Sequence, residues 1–491
     1  MSLVAGVDSS TQGCKVYICE QKSGKLIRMG RASHPKGTEV DPEAWWKALH
    51  EAIDKAGGLK DVKAVSVAGQ QHGMVCLDSS GRVVRPALLW NDTRSASSAE
   101  HLIKQIGGAD VYARRVGIVP VTSFTASKLR WLRENEPDNA EKVAAVCLPH
   151  DWLTWRLMGY GPENPDLEAL VTDRSDASGT AYWSAETGKY DNELFHHAFG
   201  ASLREAGSDK SHDQNAVIVP RIIEIGEVAG KTPDGITVAG GAGDNAGGAL
   251  GLNIDVGDVV VSLGTSGAAF SVQKQGPNNG AGDPTGIVAG FADATGLFLP
   301  LVCTLNGARI LEAACNLIGL TDPNDLTPLA LSAEPGSNGL VLLPYFEGER
   351  TPNLPTAKAS MHNMTLENTN KNNLARCYIE SLLCSMAQAV NAILANDSND
   401  STSRVFLIGG AAANKGVQEI ARSVFNVEAI YIPSPGEYVA RGAAFQAAWC
   451  LSGKKPEWAA PIDEKLTCKY VPAILEQYEA AQFKAYPSLK K

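Results

Sequence analysis

Residues 240–251, GGAGDNAGGALG, constrain this chain more than any other stretch. They follow the apolar run Ile-Thr-Val-Ala at 236–239 and set Asp244 and Asn245 among Gly235, Gly240, Gly241, Gly243, Gly247, Gly248 and Gly251. Glycine removes the side chain that would keep a ligand from the backbone. A carboxylate in such a place can reach a substrate proton, the geometric demand on a general base. The same composition also suits a flexible turn with a solvated Asp, so the rest of the chain has to decide.

At 491 residues the chain is too long for one ordinary core, and two large domains with a cleft between them are expected. A net charge of -10 without a dense basic run argues against nucleic acid or an anionic membrane as partner, while leaving room for a local phosphate pocket. The apolar runs at 259–270 and 339–346 are broken and short of the roughly 18 residues a membrane span needs. The opening residues read as a strand rather than a secretory signal, and the ten scattered cysteines read as reduced thiols, so a cytoplasmic location is expected. His196-His197 lacks a neighbouring ligand pattern for a metal.

The N-terminus reads as strand, turn and strand, with DSSTQGCK at 8–15 forming a hairpin tip of hydroxyls and backbone N–H groups that suits phosphate oxygens. Asp8 fits there if it holds Mg²⁺, directly or through water. A helix opens at Asp41-Pro42 with Trp45 and Trp46 inward, and a strand at 62–68 runs into GQQHG, where Gln70, Gln71 and His72 offer donors and acceptors for sugar hydroxyls or else satisfy the fold. Another strand, 85–90, ends at Trp90, Asn91 and Asp92: the indole gives a sugar an apolar face and the two polar residues take hydroxyls, or they cap the next helix. Residues 124–135 and 141–159 read as helices, 201–214 as surface, and Asp173 and Asp176 in TDRSDASGT either reach the cleft or stabilise a turn. The strand, LGTSG turn and strand of 258–272 repeat the N-terminal hairpin, which suggests a duplicated architecture closing on a nucleotide. A long helix at 373–395 follows, then a strand at 404–408 opening into GGAAANKG, whose Gly409-Gly410 can lie flat on a purine or ribose, and a last packed helix at 436–449. Two phosphate hairpins, one aspartate for a metal and one for a proton, describe phosphoryl transfer, and no P-loop motif is present.

In this order DSSTQGCK, GQQHG, WNDTR, GAGDNAGGALG, SLGTSG, GERTP and LIGGAAAN resemble the FGGY carbohydrate kinases over nearly the whole chain. Within that family GQQHG, WNDTR and LPHDWL are most similar to the members acting on D-xylulose. The resemblance implies an α/β fold of two actin-like, ribonuclease H-like domains with a catalytic cleft between them, binding of ATP and Mg²⁺, and phosphorylation of the terminal hydroxyl of D-xylulose. It divides the chain into 1–241, with the sugar site and first phosphate hairpin, and 242–491, with the nucleotide site and the base; sugar and ATP are the partners, and a homodimer is compatible with it. Carried over motif by motif, Asp244 is the catalytic base and Asp8 the metal carboxylate, with Gln71, His72, Trp90, Asn91, Asp92 and Asn245 facing the sugar. Thr11, Gln12, Lys15, Gly264, Thr265, Gly307, Gly409, Gly410 and Asn414 hold the nucleotide. Ser10 and Gln12 stand where the family more often has Gly and Ser, which alters the turn and its phosphate contact.

Three rival readings remain. A dinucleotide oxidoreductase follows from Gly241-x-Gly243-x-x-Ala246, but Asp244 then lies where pyrophosphate must sit, and Gly247, Gly248 and Gly251 make a poor following helix. An actin-like ATPase or sugar sensor shares the hairpins without needing a base. A sibling kinase for ribulose, gluconate or another polyol differs only in pocket shape.

Overall fold

The computed structural model describes residues 2–209, 215–395 and 404–489, so the surface reading of 201–214 falls partly outside the described residues. The chain forms two compact units. The first comprises Met1–Ile254, Lys274–Leu299 and Gly436–Ala460, and the second Asp255–Gln273, Pro300–Pro435 and Pro461–Lys491. The expected boundary at 241/242 differs from this partition, because the helix that begins at Asp244 packs with the first unit and the chain returns to that unit twice.

The first unit is built on β1 (Leu3–Ser9), β2 (Gly13–Glu20), β3 (Leu26–Ser33), β4 (Val62–Gly69), β5 (Val228–Lys231), β6 (Thr237–Ala239) and β7 (Ala242–Gly243). The sheet runs β5-β6-β4-β1-β2-β3, with β7 also on β4. β1 is buried throughout and pairs antiparallel with β2 and parallel with β4. Its alternating partners fill the core with Val7, Val16, Ile18, Val65 and Val67, against which Trp45 and Leu49 of α1 (Pro42–Lys55) pack. Asp41 caps α1 by accepting from the Glu43 N–H at 3.0 Å, as the Asp-Pro signal indicates. Trp45 is buried and Trp46 half-buried.

Register decides what this sheet presents. Asp8 pairs with Ala68 and Ser9 with Gly69, while Ala242 pairs with Ala68 and Gly243 with Gly69. The carboxyl ends of three parallel strands therefore finish in one row, the edge at which open α/β sheets hold ligands. From that row the chain continues into Ser10, Gln70 and Asp244.

Two sequence expectations change here. Residues 141–159 contain a strand, Ala145–Cys147, before the helix α2 (Pro149–Leu157), because the short buried apolar run finds partners in a second sheet and Pro149 starts the helix. The glycines after Asp244 do form a helix, α3 (Asp244–Leu252). Tertiary packing overrides their poor propensity: α3 lies against the helix Tyr438–Ser452, where a Cβ on Gly442 would sit 1.8 Å from the Gly247 carbonyl oxygen and one on Gly251 1.8 Å from that of Tyr438.

The second unit repeats the design. Its strands are β8 (Val259–Leu263), β9 (Gly267–Ser271), β10 (Phe298–Thr304), β11 (Val405–Ile408), β12 (Ala429–Pro433) and β13 (Ile462–Thr467), ordered β10-β9-β8-β11-β12-β13. The β8–β9 hairpin is antiparallel and β8–β11 parallel, as in β1–β2 and β1–β4. The helix Lys371–Leu394 is long and apolar enough by composition to cross a bilayer, but 78% of its apolar window is buried inside the protein. The helix at Tyr438–Ser452 is not the last, since Pro472–Ala485 follows in the second unit.

Replacing Gly442 by Ala is expected to destabilise the fold by about 2 kcal/mol through overpacking. Gly248→Ala, where the nearest atom to a new Cβ is 3.9 Å away, is expected to be neutral or to add up to about 1 kcal/mol of helix propensity. Urea unfolding of the two variants beside the wild type checks the contrast.

Candidate active site

In the first unit, the row of strand ends gathers most of the expected residues. Asp244 opens α3 behind Gly243, which offers no capping side chain. Its Oδ1 accepts from the Asn245 N–H at 2.8 Å and from Asn245 Nδ2 at 3.0 Å. Asn245 Nδ2 also donates to Gln71 Oε1 at 3.1 Å, and Gln71 Nε2 donates to the Ser175 carbonyl at 3.3 Å. Ser175 Oγ accepts from the Gly243 N–H at 3.1 Å. This closed circuit holds Asp244, Asn245 and Gln71 in one orientation. Desolvation first, and then repulsion from the Asp8 carboxylate, push the Asp244 carboxyl up to about 7. Such a group can take a proton near neutral pH.

Asp8 is buried at the end of β1. Its Oδ1 accepts the Ser10 hydroxyl at 2.5 Å and its Oδ2 faces Lys15 Nζ at 2.9 Å. Lys15 also pairs with Glu437 at 2.8 Å. Burial alone would lower Lys15, but the two carboxylates outweigh it and hold the ammonium above its ordinary value. Ser10, in the place where the family more often has Gly, thus binds back onto Asp8. The tip itself is short, Ser10 to Gln12, with Gln12 exposed.

Thr11 links this hairpin to two other segments: Trp90 Nε1 donates to Thr11 Oγ1 at 2.8 Å, and Thr11 Oγ1 donates to Gln70 Oε1 at 3.3 Å. The Trp90 indole is 40% exposed, so it keeps an apolar face for a ligand. Asn91 Oδ1 and Gln70 Nε2 are buried without a hydrogen-bonding partner among the described residues, an arrangement that a hydroxylated ligand would complete. Asp92 is a different matter. Each of its oxygens already accepts one side-chain hydrogen bond, from Thr38 at 2.7 Å and from Arg94 at 2.9 Å, so it is anchored within the fold. The next helix starts at Ala96 after Ser95, so Asp92 does not cap it.

His72 has φ of 69°, the left-handed region that bulky residues rarely enter. Its ring stands edge-on to Phe124 at 4.8 Å, with Nδ1 2.9 Å from the Gly179 carbonyl. Beneath Gln71 lies a buried cluster that sequence reasoning read only as a helix with inward aromatics. His150 Nδ1 is 2.5 Å from Asp176 Oδ2, and Nε2 lies 3.2 Å from Asp151 Oδ1. Burial by itself would lower His150, but Asp151, Asp176 and Asp173 outweigh it and push it up to about 10. Asp173 caps the turn that carries Ser175, accepting from its N–H at 2.9 Å. Asp173 and Asp176 therefore stabilise a turn, and that turn positions Gly243 and Gln71.

The second unit holds the remaining residues. The β8–β9 tip exposes Thr265, and Gly307 lies directly on it: a Cβ there would come 2.5 Å from the Gly264 carbonyl oxygen. Gly409, with φ of 95°, passes equally close to the Leu263 backbone at the end of β11, and Gly410 beside it has nothing within 4 Å of a built Cβ. Gly409 and Gly410 are both exposed. Asn414 is anchored beside them: its Oδ1 caps the helix Lys415–Val424 through the Val417 N–H at 3.0 Å and its Nδ2 donates to the Pro323 carbonyl at 2.9 Å. Sequence reasoning also missed Glu349 in GERTP, which is buried and accepts from the Leu305 N–H at 2.6 Å and from Asn306 Nδ2 at 2.8 Å, bracing the segment that carries Gly307.

Comparison with known proteins gives this geometry a context. A xylulose kinase of Streptomyces coelicolor is 42% identical over 465 residues, covering 92% of this chain and 89% of its own. The crystal structure of xylulose kinase from Bifidobacterium adolescentis superposes with a TM-score of 0.89 at 45% identity, covering 98% of this chain and 99% of that one. Gluconate kinase from Lactobacillus acidophilus, at 21% identity, a TM-score of 0.83 and coverage of 100% and 97%, shares the fold. Residues 3–251 match the N-terminal domain of the FGGY family of carbohydrate kinases and residues 259–451 its C-terminal domain. With both halves matched, the chain belongs to the FGGY family of carbohydrate kinases.

Proposed function

We propose that this chain transfers the γ-phosphoryl group of ATP to the terminal hydroxyl of D-xylulose, giving D-xylulose 5-phosphate and ADP. One observation carries the mechanism: a carboxyl at the start of a glycine-lined helix, raised to about 7, held by Asn245 and repelled by Asp8. The two xylulose kinases, at 42% and 45% identity, support the substrate.

In this reading Asp244 takes the proton of the acceptor hydroxyl as its oxygen forms a bond to the γ-phosphorus and the bond to the ADP oxygen breaks. Gln71, His72, Trp90, Asn91 and Asn245 orient the sugar. Thr11, Gln12 and Lys15 of the first hairpin serve the phosphates, as do Gly264 and Thr265 of the second with Gly307 packed on it, with Gly409, Gly410 and Asn414 at the nucleoside. Magnesium fits Asp8, because a buried carboxylate that raises the proton affinity of its neighbour Asp244 belongs to a donor set that a hard dication relieves. When bound it neutralises phosphate charge. Asp8 would hold it through water, its oxygens already being engaged by Ser10 and Lys15.

Asp244→Asn is expected to lower kcat by about 10²- to 10⁴-fold while sugar binding persists, measured as ADP release across ketopentoses, polyols and aldonates. Preference for ribulose or gluconate would change the substrate and keep the mechanism; turnover without sugar, or an unimpaired variant, would overturn both. The pH profile gives a second check. The base is active only when deprotonated, so kcat/KM should fall about tenfold per unit below pH 7 and level off above it. Higher magnesium, by adding positive charge beside Asp244, should move the inflection down.

A further inference from the structure

A lysine with no exposed surface lies beside the sugar-facing residues. Lys128 sits on the helix Thr125–Asn135, one turn after the helix start, and shares its inner face with Thr125, Leu129 and Leu132. Its Nζ donates to the His72 carbonyl at 2.8 Å and to the Ser123 carbonyl, and Thr125 Oγ1 donates to the same His72 carbonyl at 3.4 Å. Asp92, the charged group that acts on it, favours the ammonium, while burial pushes Lys128 down to about 7. A cation so enclosed is costly relative to an apolar side chain of equal length. It therefore has to be explained by direction rather than by stability.

The direction is given by its partner. His72 is held in the left-handed region, with its ring fixed between Gly179 and Phe124, and its carbonyl is the peptide oxygen that sets the plane of the turn. A Cβ on Gly179 would come 2.5 Å from the His72 ring, so the imidazole has one seat only. Gln71, immediately before it, is a member of the circuit through Asn245 to Asp244. We infer that Lys128 is a positioning residue of the sugar site: by holding the His72 carbonyl it fixes the strained peptide from which Gln71 and His72 face the acceptor. This rests on the sugar-site reading above and goes beyond it, since Lys128 itself touches no substrate.

The test uses the full chain with Lys128→Met, which keeps the length and removes the donors. KM for D-xylulose, and sugar affinity measured calorimetrically without nucleotide, should weaken at least 10-fold. KM for ATP should stay within twofold, and the thermal midpoint should not fall. In a His72→Asn background, where Asn tolerates the left-handed backbone and the ring is gone, only Gln71 is left to lose its position, so adding Lys128→Met should weaken sugar KM by less than it does in the wild type. Sugar KM within twofold of wild type, or additive effects in the double variant, would overturn the proposal. Loss of folding in both Lys128→Met and Lys128→Gln would assign the lysine to stability alone and overturn it equally. If the wild type ignores D-xylulose but binds another sugar that Lys128→Met no longer holds, the substrate reading fails and the positioning role stands.

Discussion

Close backbone approach is the constraint on which the first unit depends. At Gly6 a Cβ would lie 2.0 Å from the Ala440 carbonyl oxygen, and the contacts at Gly251 and Gly442 are as tight. The helix Tyr438–Ser452 therefore rests directly on β1 and on α3. This fixes the angle at which α3 leaves β7, and hence where Asp244 points. A helix poor in propensity is kept by packing against a neighbour also rich in small residues.

On that frame the charges form a graded series. Asp8 is paired with Lys15 and hydrogen-bonded by Ser10, whereas Asp244 has no ion pair among the described residues and retains a high proton affinity. The next layer inward, His150 with Asp151, Asp173 and Asp176, is balanced internally and acts through the turn that carries Ser175. Two carboxylates in one row thus differ in role because their surroundings differ, one paired and one not.

Much of this was legible in the residues. Alternation and turn chemistry located both hairpins, and the ordered motifs indicated the family. The glycine-rich stretch identified Asp244 and Asn245. What misled was local: glycine propensity argued against α3, and the apolar spacing of 141–159 concealed a strand. Lys128 left a signal, since with Thr125, Leu129 and Leu132 it falls on the buried stripe of its helix. His150 left little, because beyond its neighbour Asp151 the carboxylates around it, Asp173 and Asp176, arrive from a distant turn.

The sequence alone therefore determined most of the elements, the family and the type of chemistry, since these follow from periodicity and from residue types at short spacing. Tertiary structure decided which carboxylate is paired, which asparagine is a cap and which lysine is buried. Those outcomes depend on strand register and helix packing, which join residues as far apart as Gly6 and Ala440, and no local pattern records such contacts.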